Sequence, residues 1–279
     1  MIGGYMSSLL YEKNISDQYA IFSLNRPDKL NALNSRMMIE IDEALEDFDH
    51  DKNMRVGIVT GKGRAFSAGA DIREGVERDA AIDKLTQEGE LNEKQIKEQI
   101  DREYPKKQIE FDIFSKREKP FIAAVNGLAF GGGMHWIMDC DIRITSEGAS
   151  FSLPEPKIGM PANYGSNYLP DLIPLGESLY YLLTSDQMSA RDAHRLGLVH
   201  EVLPVEELMP RAISIASMII QGAPLAIAAT KKMVYFSRAE TNLTRDQYAA
   251  PLLGAIQNSS DIEEGRLAFI EKRKPKWSG

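Results

Sequence analysis

The chain has a single cysteine, Cys140, in 279 residues. No intrachain disulfide can form, which suits a reducing compartment. Histidines are few as well. His50, His135, His194 and His200 share no recognised ligand spacing with that cysteine, so no metal site is expected. Bases are outnumbered, with 33 Lys and Arg against 41 Asp and Glu and a net charge of −8. A diffuse acidic balance repels phosphates at long range, so neither nucleic acid nor an anionic membrane is an expected partner. A small anionic ligand needs only a few local cations and stays possible. No stretch approaches the ~20 apolar residues of a membrane helix. The segment Met1-Ile2-Gly3-Gly4-Tyr5-Met6 lacks a basic region followed by an apolar run, so no signal peptide is expected and the expected location is cytoplasmic.

Three catalytic signatures are also missing. Gly61-Lys62-Gly63-Arg64 lacks the spacing and the hydroxyl residue of a phosphate loop. No dinucleotide glycine pattern follows a strand. Ser67 and Ser152 are potential nucleophiles, but neither lies in a G-x-S-x-G elbow.

What is present is a globular composition, 43% hydrophobic and 27% charged. Residues 19–24 and 55–60 read as strands. Between them, Met38, Ile41, Leu45 and Phe48 fall three or four apart and predict an amphipathic helix over residues 35–49. Strand, helix, strand in that order predicts a crossover unit in a mixed or parallel sheet. Residues 72–119 are rich in charge and read as surface helices or a partly mobile lid without a core of their own. Residues 121–125 and 141–145 read as strands around a glycine-rich turn, 127–133, and a short apolar helix, 134–138. Ser189 and Asp192 cap a helix that Gly197 ends, and residues 199–203 read as a strand. Further helices are expected over 205–221, 224–238, 244–257 and 262–272. The expected organisation is an α/β core, residues 1–200, followed by a helical region, residues 201–279.

Two loops carry the chemistry. Each follows a buried strand and is built from small residues: Arg64-Ala65-Phe66-Ser67-Ala68-Gly69-Ala70-Asp71-Ile72 and Asn126-Gly127-Leu128-Ala129-Phe130-Gly131-Gly132-Gly133. Small residues leave backbone N–H groups open to a ligand, and a helix start favours negative charge. Either loop alone reads equally well as a tight connection. Two amides converging on one oxygen make an oxyanion hole.

These segments, together with Asn25-Arg26-Pro27-Asp28-Lys29-Leu30-Asn31-Ala32-Leu33, Lys119-Pro120-Phe121-Ile122-Ala123-Ala124-Val125, Pro154-Glu155 with Gly159, and the block from Met188 to Val199, resemble the successive signature blocks of the enoyl-CoA hydratase/isomerase (crotonase-like) family. The resemblance implies a ββα superhelical core with a helical C-terminal trimerisation region, and a homotrimer or dimer of trimers. It implies an acyl-CoA substrate and no separate cofactor, coenzyme A being part of that substrate. The oxyanion amides fall on Ala70 and Gly132. The CoA moiety falls along Lys29, Leu30, Ala68, Ala70, Asp71 and Ile72, with Arg26, Lys29 or Arg73 as phosphate contacts. The basic tail around Lys274 and Lys276 reads as a solvated terminus, with a CoA contact across subunits as the alternative.

Family hydratases share acid–base work between two glutamates. The second matches Glu155. The first falls on His135, a departure from the pattern. Histidine is a competent acid or base near neutral pH, and Asp139, one helical turn on, is placed to orient it. His135 reads as catalytic or as a packed residue at a helix start. After Glu155 the usual glycine-rich turn is replaced by Pro161-Ala162-Asn163-Tyr164-Gly165. Asn163 and Tyr164 line the acyl pocket or pack outward, and the outward arrangement is the expected one. The leading expectation is hydration of a 2-enoyl-CoA, with Glu155, His135, Ala70 and Gly132 as the catalytic set. Double-bond isomerisation, thioester hydrolysis and CoA binding without turnover are the rivals.

Overall fold

The computed structural model describes residues 7–89, 91–105, 107, 109–158, 160–239, 259–261, 264, 268, 271 and 273–278. The elements in chain order are β1 (Leu9–Asn14), β2 (Tyr19–Leu24), α1 (Ser35–His50), β3 (Val56–Gly61), β4 (Ala65–Ser67), α2 (Ile72–Glu88) and α3 (Glu93–Glu103). They continue with β5 (Phe121–Val125), β6 (Leu128–Phe130), α4 (Gly132–Asp139), β7 (Ile142–Ser146), β8 (Ser150–Ser152), α5 (Asn163–Tyr168) and α6 (Leu175–Thr184). Last come β9 (Met188–Ser189), α7 (Ala190–Leu196), β10 (Glu201–Leu203), α8 (Val205–Ile220) and α9 (Pro224–Ala239).

Two sheets form among the described residues. The larger has six strands in the order β1-β2-β3-β5-β7-β10, and the smaller has four, β4-β6-β8-β9. From β2 to β10 the larger sheet is parallel, with an antiparallel β1 at its edge. β3, β5 and β7 are each followed closely by a short strand of the second sheet and then, after β4 and β6, by a helix. This strand–strand–helix turn repeats as β3-β4-α2 and β5-β6-α4. The fold is the α/β architecture that the signature blocks implied.

Period-two alternation divides the central strands between two cores. Phe121, Ala123 and Val125 of β5 face α1 and the second sheet, alongside Phe22, Phe48 and Trp136. Ile122 and Ala124 face the other way, with Val56, Ile58 and Ile144, onto Leu208, Ala212, Ile215 and Ala216 of α8. A parallel sheet covered on both sides reads as continuous apolar runs, which is why these strands were visible in the sequence.

The shortest strands were not. β4, β6 and β8 span three residues each and lie beside glycines and polar turns, so they give no periodic signal. β1 also escaped the sequence reading. α7 is capped as expected, with Ser189 accepting from Asp192 N and Gly197 left-handed at φ 89°. α2 and α3 are the surface helices expected of residues 72–119, but the end of that stretch is not a lid. Ile113 and Phe114 are fully buried in the main core. The helix expected over 244–257 lies outside the described residues.

Candidate active site

The first amide comes from the turn after β4. Asn31 is buried in a left-handed conformation, φ 55°, where its short polar side chain can bond the local backbone. Its side chain donates to Lys62 O at 2.9 Å and Ala65 O at 2.8 Å and accepts from Arg26 N at 2.8 Å. Ser67 Oγ donates to Asn31 O at 2.8 Å and accepts from Gly69 N at 3.1 Å. These bonds lock residues 30–33 against residues 65–71. Leu33 N then donates to Gly69 O, and Asp71 N donates to Leu33 O, both at 2.8 Å. Leu33 therefore pairs with both neighbours of Ala70 across a parallel bridge. By the alternation of a parallel ladder, Ala70's own N–H points the other way.

The start of α4 lies close to Ala70 N. Gly131 holds φ 47° and ψ −120°, a conformation that turns β6 sharply into the helix. Gly132 is the first helical residue, so its N–H has no intrahelical acceptor. A side-chain carbon added to Gly132 would stand 3.6 Å from Ala70 N. Such a carbon sits about 2.5 Å from its own amide nitrogen, so the two nitrogens lie within about 6 Å of one another. Two N–H donors holding one oxygen at about 2.7–3.1 Å can be no farther apart than this.

The acid–base candidates flank this point. Glu155 begins a 3-10 turn after β8, and its Oε1 lies 3.5 Å from His135 Nε2. The same oxygen is 3.5 Å from where a side-chain carbon on Gly131 would stand, so the carboxylate lies beside the Gly131–Gly132 turn. Glu155 is half-buried, and burial raises its pKa above the ordinary carboxylate range. His135 is buried on the inner face of α4, and burial lowers its pKa to about 4. It is neutral near pH 7. Neither ring nitrogen of His135, nor Glu155 Oε2, has a hydrogen-bond partner among the described residues.

The His135–Asp139 pairing expected from helical spacing does not form. Asp139 Oδ2 accepts from Phe114 N at 2.6 Å, while His135 Nδ1 is unpartnered. The amides of the segment before β5 capture the carboxylate, and burial raises its pKa to about 6. Spacing of four residues brings two side chains to one face but does not choose their partners. Tyr164 corrects another expectation. It packs inward, its ring centroid 5.0 Å from that of His135 and 5.3 Å from that of Phe111, while Asn163 is exposed. Phe111 completes the group at 4.6 Å from His135. The sequence reading missed Phe111 because it lies in a charged segment with no periodicity.

The residues expected along CoA line one edge of the site. Lys29, Ala70 and Ile72 are exposed, and Leu30, Ala68 and Asp71 are half-buried. Ala68 N donates to Leu30 O at 2.9 Å, so these two segments form one strip. Arg26 is not available for phosphate. Its guanidinium pairs with Asp71 at 2.8 Å and donates to Ala32 O at 2.6 Å. Lys29 and Arg73 are exposed and make no ion pair among the described residues. Ser67 and Ser152 direct their hydroxyls to backbone carbonyls, of Asn31 and Ser185.

The family model for enoyl-CoA hydratase/isomerase matches residues 14–279. The chain belongs to this family. A probable mitochondrial enoyl-CoA hydratase of Dictyostelium discoideum is 35% identical over 258 residues, covering 92% of this chain and 86% of its own. A carnitinyl-CoA dehydratase of Salmonella arizonae is 35% identical over 270 residues, covering 92% of this chain and 94% of its own. The crystal structure of an enoyl-CoA hydratase from Bacillus anthracis superposes with a TM-score of 0.82 at 30% identity, over 98% of this chain and 99% of that one. The protein is therefore a crotonase-type enzyme of the enoyl-CoA hydratase/isomerase class.

Proposed function

We propose that the protein hydrates a 2-enoyl-CoA, with Ala70 N–H and Gly132 N–H gripping the thioester oxygen. The observation that supports this reading is the closeness of Ala70 N to the Gly131–Gly132 turn, with the Glu155 carboxylate beside that turn. Adding a nucleophile at Cβ pushes electrons through the conjugated system onto the thioester oxygen. Fixed N–H donors stabilise that charge more in the transition state than in the substrate, by about 3 kcal/mol for each donor. Glu155, ionised, takes a proton from water as the C–O bond forms at Cβ, and then gives that proton to Cα, which returns the carboxylate to its starting state. Neutral His135 supplies a hydrogen-bonding nitrogen next to that carboxylate, where it orients the water. The reaction changes no overall oxidation state, so the reading calls on no redox cofactor.

CoA lies, in this reading, along Lys29, Leu30, Ala68, Asp71 and Ile72, with Lys29 and Arg73 meeting its phosphates. The exposed apolar side chains of α6, Leu175, Leu179 and Leu183, support assembly as a homotrimer or dimer of trimers. Isomerisation of an enoyl-CoA double bond is the second reading. It moves one proton between carbons and needs one carboxylate, and His135 stands where a second carboxylate is usual in hydratases. Product analysis separates the two: a 3-hydroxyacyl-CoA against a shifted alkene. Glu155→Gln is expected to keep acyl-CoA binding and lose roughly 100-fold or more in rate. Turnover near that of the parent enzyme removes Glu155 from the mechanism.

A further inference from the structure

Phe111 reaches the site from a segment that the oxyanion helix itself holds. Trp136 Nε1 donates to Glu110 O at 2.8 Å, and Asp139 Oδ2 accepts from Phe114 N at 2.6 Å. Both anchors belong to α4, three residues apart, and they fix the backbone on either side of Phe111. Lys231 Nζ adds a third tie, to Phe114 O at 2.9 Å. Phe111 is thus clamped to the element that carries Gly132 and His135. Its Cε1 lies 3.5 Å from where a side-chain carbon on Gly132 would stand.

Three rings meet there. Phe111 and His135 are in edge contact at 4.6 Å, His135 and Tyr164 lie at 5.0 Å, and Tyr164 and Phe111 lie at 5.3 Å. All three separations are those of touching rings. Tyr168 stacks behind Tyr164 at 4.0 Å and backs the wall. The ring cluster therefore lies against Gly132 through Phe111 and beside Glu155 through His135, next to where the reading above puts the thioester.

We propose that Phe111, with Tyr164 and the His135 ring, closes the far end of the acyl site and makes the enzyme selective for short acyl chains. Asp139 and Trp136 act as positioning residues for Phe111. The inference rests on the acyl-CoA reading above and adds the substrate class to it. Interior side chains are close-packed, so a chain longer than the space before the rings must displace an anchored side chain. One methylene too many in such a pocket costs roughly tenfold or more in kcat/KM.

The test is a chain-length series, crotonyl-, hexenoyl-, octenoyl- and decenoyl-CoA, read as the ratio of kcat/KM for each to that for crotonyl-CoA. The parent enzyme is expected to fall roughly tenfold or more between crotonyl- and octenoyl-CoA. Phe111→Ala raises the octenoyl ratio by about the same factor, and Phe111→Leu gives an intermediate profile and serves if the alanine variant misfolds. Asp139→Ala, which frees Phe114 N–H, moves the ratio in the same direction by loosening the hold on Phe111 without changing its side chain. A flat or rising profile in the parent overturns the proposal, as does a Phe111→Ala profile that keeps the parent's shape. No turnover of any enoyl-CoA defeats the hydratase reading instead. In that case calorimetric binding of butyryl- and octanoyl-CoA to parent and Phe111→Ala carries the same comparison, and equal preference in both proteins overturns the chain-length gate.

Discussion

Ser67 touches both arms of the proposed oxyanion hole. Its Oγ accepts from Gly69 N at 3.1 Å, next to Ala70, and its carbonyl oxygen and Cβ would lie 2.6 and 2.7 Å from a side-chain carbon on Gly133, next to Gly132. This fully buried serine is a strut between two segments that follow adjacent strands of the second sheet, the turn after β4 and the start of α4 after β6.

Removing the strut's hydroxyl separates positioning from binding. Ser67→Ala leaves Gly69 N–H buried without its partner, at about 1–3 kcal/mol of stability. Ala70 then loses its fixed aim, and kcat is expected to fall roughly tenfold, short of the 10²–10³ for loss of a whole donor. KM is expected to change little. A chromophoric enoyl-CoA bound to the variant should show a smaller red shift of its thioester absorption than when bound to the parent. An unchanged shift shows that the serine only supports the fold.

Gly133→Ala attacks the same contact from the other arm. The added methyl has no room beside Ser67, whose backbone cannot swing aside as a flexible side chain would. Overpacking of this kind costs about 1–3 kcal/mol. Urea unfolding and kcat should both report the loss, and a variant as stable and active as the parent shows that the two loops are not rigidly spaced.

The acid–base group gives the pH profile its sign. In the proposed mechanism Glu155 acts ionised, and burial raises its pKa. Activity is therefore full above the raised value and is lost as pH falls through it. The acidic limb of kcat/KM is expected above the ordinary glutamate value of about 4.3. Glu155→Gln should abolish that limb in whatever activity remains. A limb at or below the ordinary value points to a different base.

His135 links stability to pH in the opposite way from a salt-bridged histidine. The unfolded side chain binds a proton near 6.5, while the folded one is neutral down to about 4. Its contribution is fully present above the unfolded value and is lost as pH falls from there toward the folded one, on the order of 3 kcal/mol in all. Asp139 works against this, since its raised pKa means that its stability is lost as pH rises toward about 6. The informative quantity is thus the difference between parent and His135→Phe, by urea unfolding across this acid range. That difference should shrink toward neutral pH, and a constant difference shows that the ring titrates alike in both states. For catalysis, His135→Ala and His135→Glu are both compared with the parent, and equal rates in all three assign the ring to packing alone.

Charge at the CoA edge divides by partner. Lys29→Ala and Arg73→Ala are expected to raise KM several-fold with little effect on kcat, more at low salt than at high. A crotonyl-pantetheine substrate, which lacks the nucleotide phosphates, should not feel either change. Arg26→Ala should instead lower stability, because it removes the partner of Asp71 and of Ala32 O. A KM effect of Arg26→Ala on crotonyl-CoA alone, without destabilisation, reverses that assignment.

Much of the molecule was legible as local pattern. The long strands are apolar because both sheet faces are covered, and α1 carries its apolar stripe at helical spacing. The small residues of the two loops, and the position of Glu155 after a proline, came through as motif. Spacing along a helix said less. It paired His135 with Asp139, whereas the carboxylate went to Phe114 N, an amide 25 residues away in the chain.

The sequence by itself determined which backbone segments can bare their N–H groups, since only residues with little or no side chain permit a ligand so close. It also set which positions along α1 form its apolar stripe. What only the tertiary structure decided is the company each group keeps. Ala70 meets Gly132, His135 loses its charge to burial, Tyr164 turns inward, and Phe111 arrives from a charged segment to face them. Separations of that kind depend on long-range packing of elements far apart in the chain, and no local rule of periodicity or propensity encodes them.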